Sequence, residues 1–367
     1  MKTNYGLFII FIGCLTIPSV AVQNYDIILL SYPPNGIASG PAGLNDLNQI
    51  VGPVGGGMGN VYVWQDGNKS DIPFPVSLEF GTAAYDISNT SHVVGGNWIQ
   101  QGQLWNGSQL VPLGTLGGSS SMPYALNESD QVAGSSQTVT INETVPFLWQ
   151  NNTMIPLGTL GGHYGRAYAI NNHAVVVGFS QNASGDTRAF IYRNSTMTDL
   201  GTLGGSQSNA VAVNDANEVV GWSEIASGYQ HAFVWRNGVM TDLGTLGGNQ
   251  SQAFDINDAG QILGWAETAT GYRPLVIWEN GIPVRLNSLI APDSGWELVM
   301  VGGLNIDEKP LYRINNNGTI LGIGFVNGGS YPFLMLPRQN AFLLHDSNED
   351  GTVNLLDFAR MSDEWLK

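Results

Sequence analysis

The heptapeptide Asp-Leu-Gly-Thr-Leu-Gly-Gly closes successive segments of the chain, at Asp199 to Gly205 and Asp242 to Gly248, and with Pro in first place at Pro112 to Gly118 and Pro156 to Gly162. Self-similarity at a period of roughly 20 to 50 residues makes each copy one supersecondary unit. Such a unit cannot bury its apolar face alone, so the chain must fold as a closed or stacked array.

Aligned on an apolar residue followed by Asn, the copies fall at Leu44-Asn45, Ile87-Ser88, Leu126-Asn127, Ile170-Asn171, Val213-Asn214, Ile256-Asn257 and Ile314-Asn315, seven copies mostly 43 residues apart. Each copy runs through A-x-x-I-N, a V-V-G segment, an A-F-V-W segment and M-T-D-L-G-T-L-G-G. The pieces are short, rich in β-branched and aromatic residues and bounded by Gly, Asn or Asp, which predicts four antiparallel strands per copy. Asn257-Asp258-Ala259-Gly260 and Asn315-Asn316-Asn317-Gly318 read as turns in which Asn caps and Gly supplies positive φ. In the third piece Trp64, Trp105, Trp149, Tyr192, Trp235 and Trp278 recur in register inside apolar runs. Placement there favours core over sugar stacking.

The expected fold is all-β: a seven-bladed β-propeller of about 43-residue, four-stranded repeats. The last copy, Arg313 to Pro337, supplies three strands, and Tyr25 to Leu30 reads as a lone fourth strand, so the N-terminal strand is expected to complete the last blade. The interval from Asn257 to Asn315 is longer than the rest and carries an insertion at 287–310 with Trp296, Glu297, Asp307 and Glu308. Insertions of this kind project as loops, often on a binding face. Glu297 and Asp307 are therefore candidate functional carboxylates.

Residues 1–21 read as a secretory signal: Lys2, an apolar run from Leu7 to Ile17, then Ser19 and Ala21 spaced for cleavage. A rival reading attaches lipid at Cys14, the one cysteine of the chain. No later stretch has the roughly 20 apolar residues of a membrane helix. The expected location is extracellular, secreted or at the cell surface. A net charge of −16, with 11% charged and 43% hydrophobic residues, disfavours nucleic acid and anionic lipid as partners and is not the composition of a disordered chain. Asn106, Asn127 and Asn194 open Asn-x-Ser/Thr sequons, which matter only in a host that glycosylates exported proteins.

With His231-Ala232-Phe233-Val234-Trp235 between Gly221-Trp222-Ser223 and Met240 to Gly248, the copies resemble the HAF-repeat family of exported proteins, over roughly Tyr25 to Pro337. The resemblance implies an extracytoplasmic repeat protein and no established activity. The end copies depart from the motif, with Pro53 and a glycine run after Gly52, and Pro332-Phe333-Leu334-Met335 as the last third strand.

Residues 339–367 differ in composition. Asp346, Asn348, Asp350, Thr352, Asn354 and Asp357 occupy positions 1, 3, 5, 7, 9 and 12 of a calcium loop, with Gly351 at position 6. Ca²⁺ takes 6–8 hard oxygens, and a tight turn converges alternate side chains on one point. The helix predicted to follow has Leu355, Phe358, Met361 and Trp365 on one face. This tail resembles one half of a dockerin type I domain, which implies Ca²⁺ as the cofactor and a cohesin-like module as a partner. Leu355 and Leu356 stand where that family places small hydroxyl residues for cohesin recognition.

The domain expectation is a signal at 1–21, the repeat domain at 22–338 and the calcium loop and helix at 339–367. No G-x-S-x-G, H-E-x-x-H, C-x-x-C, Walker or dinucleotide pattern occurs, and the five histidines fall at unmatched repeat positions, so no catalytic residue is assigned. Function is expected to be binding or scaffolding, with loops presented to a glycan or protein ligand and the tail serving assembly. The alternative is a polysaccharide-degrading propeller glycosidase or lyase, whose paired carboxylates would have to come from different copies.

Overall fold

The computed structural model describes residues 25–30, 42–53, 61–66, 68–74, 83–96, 100–140, 143–300 and 311–338. Apart from one 3₁₀ turn at Leu286–Ser288, every regular element among them is a β-strand. One repeat shows the plan. Gly204–Val213, Val219–Ile225, Gln230–Arg236 and Val239–Asp242 pair antiparallel in chain order. First strands of successive repeats touch one another round a closed circuit, with Gly43–Leu44 meeting both Ala83–Ile87 and Arg313–Ile314. These first strands are thus the inner layer of a β-propeller.

The seam heptapeptide carries the chain from an outer strand to the next inner strand. Gly201 and Gly204 adopt φ of +81° and +112°, a region that costs an L-residue with a Cβ about 1–2 kcal/mol. Thr202 Oγ1 donates to the Gly205 carbonyl at 2.9 Å, and the Leu203 N–H donates to Ser223 Oγ at 2.8 Å. Leu200 is buried beneath them. Asp199 accepts from the Gly201 N–H at 2.8 Å, which explains the acidic first residue of the motif.

The expectation of seven separate blades is corrected by the hydrogen bonding. Five self-contained four-stranded sheets stand where seven were expected, and the repeats between Gly117 and Asp199 merge into one eight-stranded sheet. The merger is a parallel bridge between Thr144 and Tyr164. Gly165 beside it has no side chain, and a Cβ there would stand 3.2 Å from Pro146 Cδ, so the two repeats approach closely enough to bridge. The sheet containing Arg313–Ile314, Ile320–Val326 and Gly329–Pro337 takes Tyr25–Leu29 as its outer strand, in register from Tyr25 opposite Pro337 to Leu29 opposite Phe333. An ion pair at 2.6 Å between Arg338 and Asp26 closes the outside of that sheet.

The core lies between sheets. Trp149, Trp235 and Trp278 are buried, with Trp278 fully so and its indole N–H donating to the Leu243 carbonyl at 3.1 Å. Trp64, Trp105 and Tyr192 are half-buried and pack against neighbouring clusters. The ring at this repeat position is therefore packing material. The described part of the insertion packs as well: Leu298 is buried, and Trp296 meets Phe333 edge to face at 5.7 Å. The expected calcium loop and helix lie outside the described residues.

Candidate functional site: the axial mouth

Each inner strand ends in a turn opening on Asn, with one exception, and these turns line one mouth of the central axis. The Asn closes its own turn first. Asn257 Oδ1 accepts the Gln261 N–H at 3.0 Å, and Asn315 Oδ1 accepts the Thr319 N–H at 2.9 Å, as the capping reading requires.

The same side chains also join the repeats. Asn45 Nδ2 donates to the Ser88 carbonyl at 2.8 Å, Asn127 to Asn171 at 3.0 Å, Asn171 to Asn214 at 2.9 Å, and Asn214 to Asn257 at 3.2 Å. Asn257 donates to the Asn315 carbonyl at 3.1 Å, and Asn315 to that of Asn45 at 2.9 Å. The exception is Ser88, whose short side chain bonds Thr90 within its own turn.

One residue further on, a second circuit runs outside the first. The backbone N–H of Asp46 donates to Asn89 Oδ1 at 2.8 Å, that of Asn89 to the Glu128 carboxylate at 3.0 and 3.1 Å, and that of Glu128 to Asn172 Oδ1 at 3.1 Å. Asn172 donates to Asp215 at 2.9 Å, Asp215 to Asp258 at 2.8 Å, Asp258 to Asn316 at 2.9 Å, and Asn316 back to Asp46 at 2.8 Å. Four carboxylates and three carboxamides therefore ring a mouth of about 190 Å³. Each is held in one orientation by a neighbour's backbone, and some accept side-chain amides of the ring as well: Asp46 from Asn89 at 3.1 Å and Asn316 at 3.2 Å, Asp215 from Asn172 at 3.0 Å.

Deeper in the axis the repeats differ. At the position two before the turn residue stand Gly43, Asp86, Ala125, Ala169, Ala212, Asp255 and Arg313. Asp86 Oδ2 accepts the Leu126 N–H at 3.3 Å and Asp255 Oδ2 the Ile314 N–H at 3.0 Å, so both carboxylates tie one inner strand to the next. Arg313 is buried, which pulls its guanidinium below its ordinary pKa against the opposing charges of Asp255 and Asp86. At the rim the Glu128 carboxyl is raised: burial drives it up, the Asn89 N–H opposes, and Asp46, Asp86 and Asp130 add to the rise.

The residues named from sequence are distributed unevenly. Glu297 is exposed on the opposite face and accepts from the Tyr272 hydroxyl at 3.2 Å. Asp307 and the calcium set Asp346, Asn348, Asp350, Thr352, Asn354 and Asp357 lie outside the described residues. Among the described residues no group of three or more His, Cys, Asp or Glu side chains is placed to hold a metal ion. Sequence reasoning took the Asn and Asp turn residues as caps and missed that they interlock. The available signal was that one repeat position carries an acid or an amide in every copy: Asp46, Asn89, Glu128, Asn172, Asp215, Asp258 and Asn316.

No protein-family model and no curated protein matches the chain. Among solved structures, a puromycin-hydrolyzing peptidase of Mycobacterium tuberculosis aligns with TM-score 0.51 at 11% identity, covering 79% of this chain and 49% of that one. The β-propeller domain of the Trilobed protease from Pyrococcus furiosus aligns with TM-score 0.46 at 13% identity, covering 68% and 83%. TolB from Acinetobacter baumannii aligns with TM-score 0.45 at 10% identity, covering 86% and 97%. The chain spans about half the length of the peptidase it matches. At such identities the likeness concerns fold alone, and the class the topology defines is the β-propeller. No helix among the described residues is long and apolar enough to cross a membrane.

Proposed function

We propose that this is an exported binding or scaffold propeller of the HAF-repeat type, presenting its loops to a glycan or protein ligand and carrying a calcium-binding, dockerin-like tail for assembly. The observation that supports binding is the axial rim. Its carboxylates and carboxamides are fixed by backbone donors, and carboxylate oxygens so held accept hydrogen bonds from hydroxyl or amide groups of a polar ligand without paying to be ordered. A glycan array run beside a turnover assay on the same polysaccharides tests this. Binding without new reducing ends supports it, and reducing-end release assigns the protein to the polysaccharide-degrading class, glycosidase or lyase, with Glu128 the first carboxylate to replace.

The tail is proposed to bind one Ca²⁺ through Asp346, Asn348, Asp350, Asn354 and Asp357 and the Thr352 carbonyl. What supports it is oxygen-ligand spacing with glycine at the sharp bend. Calcium titration of the full chain and of a chain ending at Arg338 separates the tail from the ring, and equal heats in the two remove the assignment. The cohesin-like partner is tested with the same two chains by pull-down.

A further inference from the structure

The mouth face carries two adjoining cavities, the axial well of about 190 Å³ and a groove of about 650 Å³ that crosses the last three repeats. Asp258 and Asn316 line both. Among the described residues neither lining includes an aromatic ring. Below its rim of acids and amides the well is walled by the aliphatic residue that precedes each turn, from Leu44 to Ile314. The groove is walled by polar side chains, with Gln261 donating to Glu279 at 2.6 Å and an ion pair between Arg236 and Glu218.

Two adjacent copies open the groove by lacking a side chain that the others have. Three places after the turn residue the backbone is left-handed, and five copies still carry a side chain there, as with Asn48 at φ +58° and Asn217 at +62°. Those two carboxamides accept the amides of Asn315 and Asn171. The last two copies have Gly260 and Gly318 there, at +76° and +79°, and Asn214 and Asn257 turn instead to Glu218 at 3.0 Å and Gln261 at 2.8 Å. A Cβ on Gly260 would stand 3.6 Å from Glu218 Oε2, where the groove now lies.

Where the cavities meet, the rim has spare hydrogen-bonding capacity. Asp46, Glu128 and Asp215 use both oxygens on donors of the circuit. Asp258 uses Oδ1 on the Asp215 N–H, and among the described residues no donor takes its Oδ2. The reason is local: the copy before it has Asp215 where an Asn would supply a side-chain amide.

We propose that the well receives a lysine side chain of a protein ligand, its ammonium at Asp258 and Asp215 and its stem on the aliphatic wall, while the ligand's main chain runs out along the groove over Gly260 and Gly318. This rests on the reading of the mouth as the binding site and selects a protein over a glycan. A lysine is an apolar stem with a charged head, which matches an aliphatic wall under an acid rim. A sugar would bury hydroxyls against that wall without partners and would find no ring to lie on. The net charge of −16 steers a basic segment towards the mouth. Carboxamides and the Arg236–Glu218 pair offer the acceptors and donors that a peptide backbone requires.

The test is panning of a displayed random heptapeptide library on the full chain, then fluorescence anisotropy of the selected peptide with its lysine kept, acetylated or replaced by norleucine. The proteins compared are the unmodified chain, D258N, G260N and E297Q. D258N retains an acceptor for the Asp215 N–H, and G260N gives that copy the residue its predecessor has at Asn217, so both preserve the ring. The expected result is enrichment of lysine at one position. Acetylation and D258N should each weaken binding about fivefold or more, G260N should weaken the lysine and norleucine peptides alike, and E297Q on the opposite face should stay within about twofold. Equal affinity for the lysine and norleucine peptides, or binding unchanged in D258N and G260N, overturns the proposal. Oligosaccharides that bind and lose affinity in D258N, with no peptide enriched, overturn it while leaving the mouth as the binding site. Failure of peptides and oligosaccharides alike removes both readings.

Discussion

The side-chain amide of Asn315 donates to the carbonyl of Asn45 at 2.9 Å, joining residues 270 positions apart, and to Asn48 Oδ1 at the same distance. Replacing Asn315 with Ala also takes the acceptor from the buried Thr319 N–H and from the Asn317 N–H in the exposed part of the turn. N315A should cost about 2–4 kcal/mol, read by urea denaturation, from the loss of several hydrogen bonds with partners left buried. A loss no larger than that of an exposed Asn→Ala change would show that the circuit does not hold the ring.

Ser88 marks the gap in the inner circuit, since it lacks the length to reach the next turn. S88N should restore the missing link to the Asn127 carbonyl and stabilise the protein by about 0.5–1.5 kcal/mol, seen as a raised melting temperature. A lowered melting temperature would mean that the second copy has repacked around serine.

Glu128 gives the mouth a pH dependence of defined sign. Its folded-state pKa lies above the ordinary 4.5, chiefly through burial, so its contribution is favourable while it is protonated and is lost as pH rises from about 4.5 through the raised value. E128Q cannot ionise. The melting temperature of E128Q relative to the unmodified protein should therefore climb between pH 4 and pH 7, and a constant difference would show that the raised value is absent.

Tyr25 opens the closing strand with its ring buried, and burial, with the charge of Glu279 adding, pushes its hydroxyl up to about 12 from 10.0. The unfolded chain ionises first, so stability drains away as pH rises from 10 towards 12, by an amount of order 2 kcal/mol. Y25F should flatten this alkaline loss, followed by tyrosinate absorbance and denaturant midpoints from pH 8 to 11.5.

At the seam, Gly201 sits at φ +81° with open space where a Cβ would go. G201A should therefore cost about 1–2 kcal/mol by backbone strain alone, with no clash to relieve. Denaturant titration checks this, and a neutral result would show that the seam turn can be rebuilt.

Strand content and repeat phase were legible because period-two apolar runs and Gly-Asn punctuation are local signals. The burial of Trp149, Trp235 and Trp278 followed from the same pattern. The merging of two repeats through Thr144 and Tyr164 was not, because it depends on how near two backbones come across a boundary. Nor was the interlocking of the axial turns: capping explains each Asn from its own four residues and leaves nothing to suggest a second partner. The insertion reads as a projecting loop that could serve a binding face, yet Leu298 and Trp296 make its described part contribute to the packing between the last two sheets.

Pairing of the first described strand with the last, Tyr25–Leu29 against Gly329–Pro337, sets an order of events during synthesis. The apolar strand made earliest has no partner until the ribosome has passed residue 337, so it waits through the production of the whole ring as an unclaimed edge. Long-range pairing of this kind is slow and exposes such edges to aggregation. For this chain the vulnerable period therefore lasts until Gly329–Pro337 is in place beside Tyr25–Leu29, in whichever compartment the ring closes.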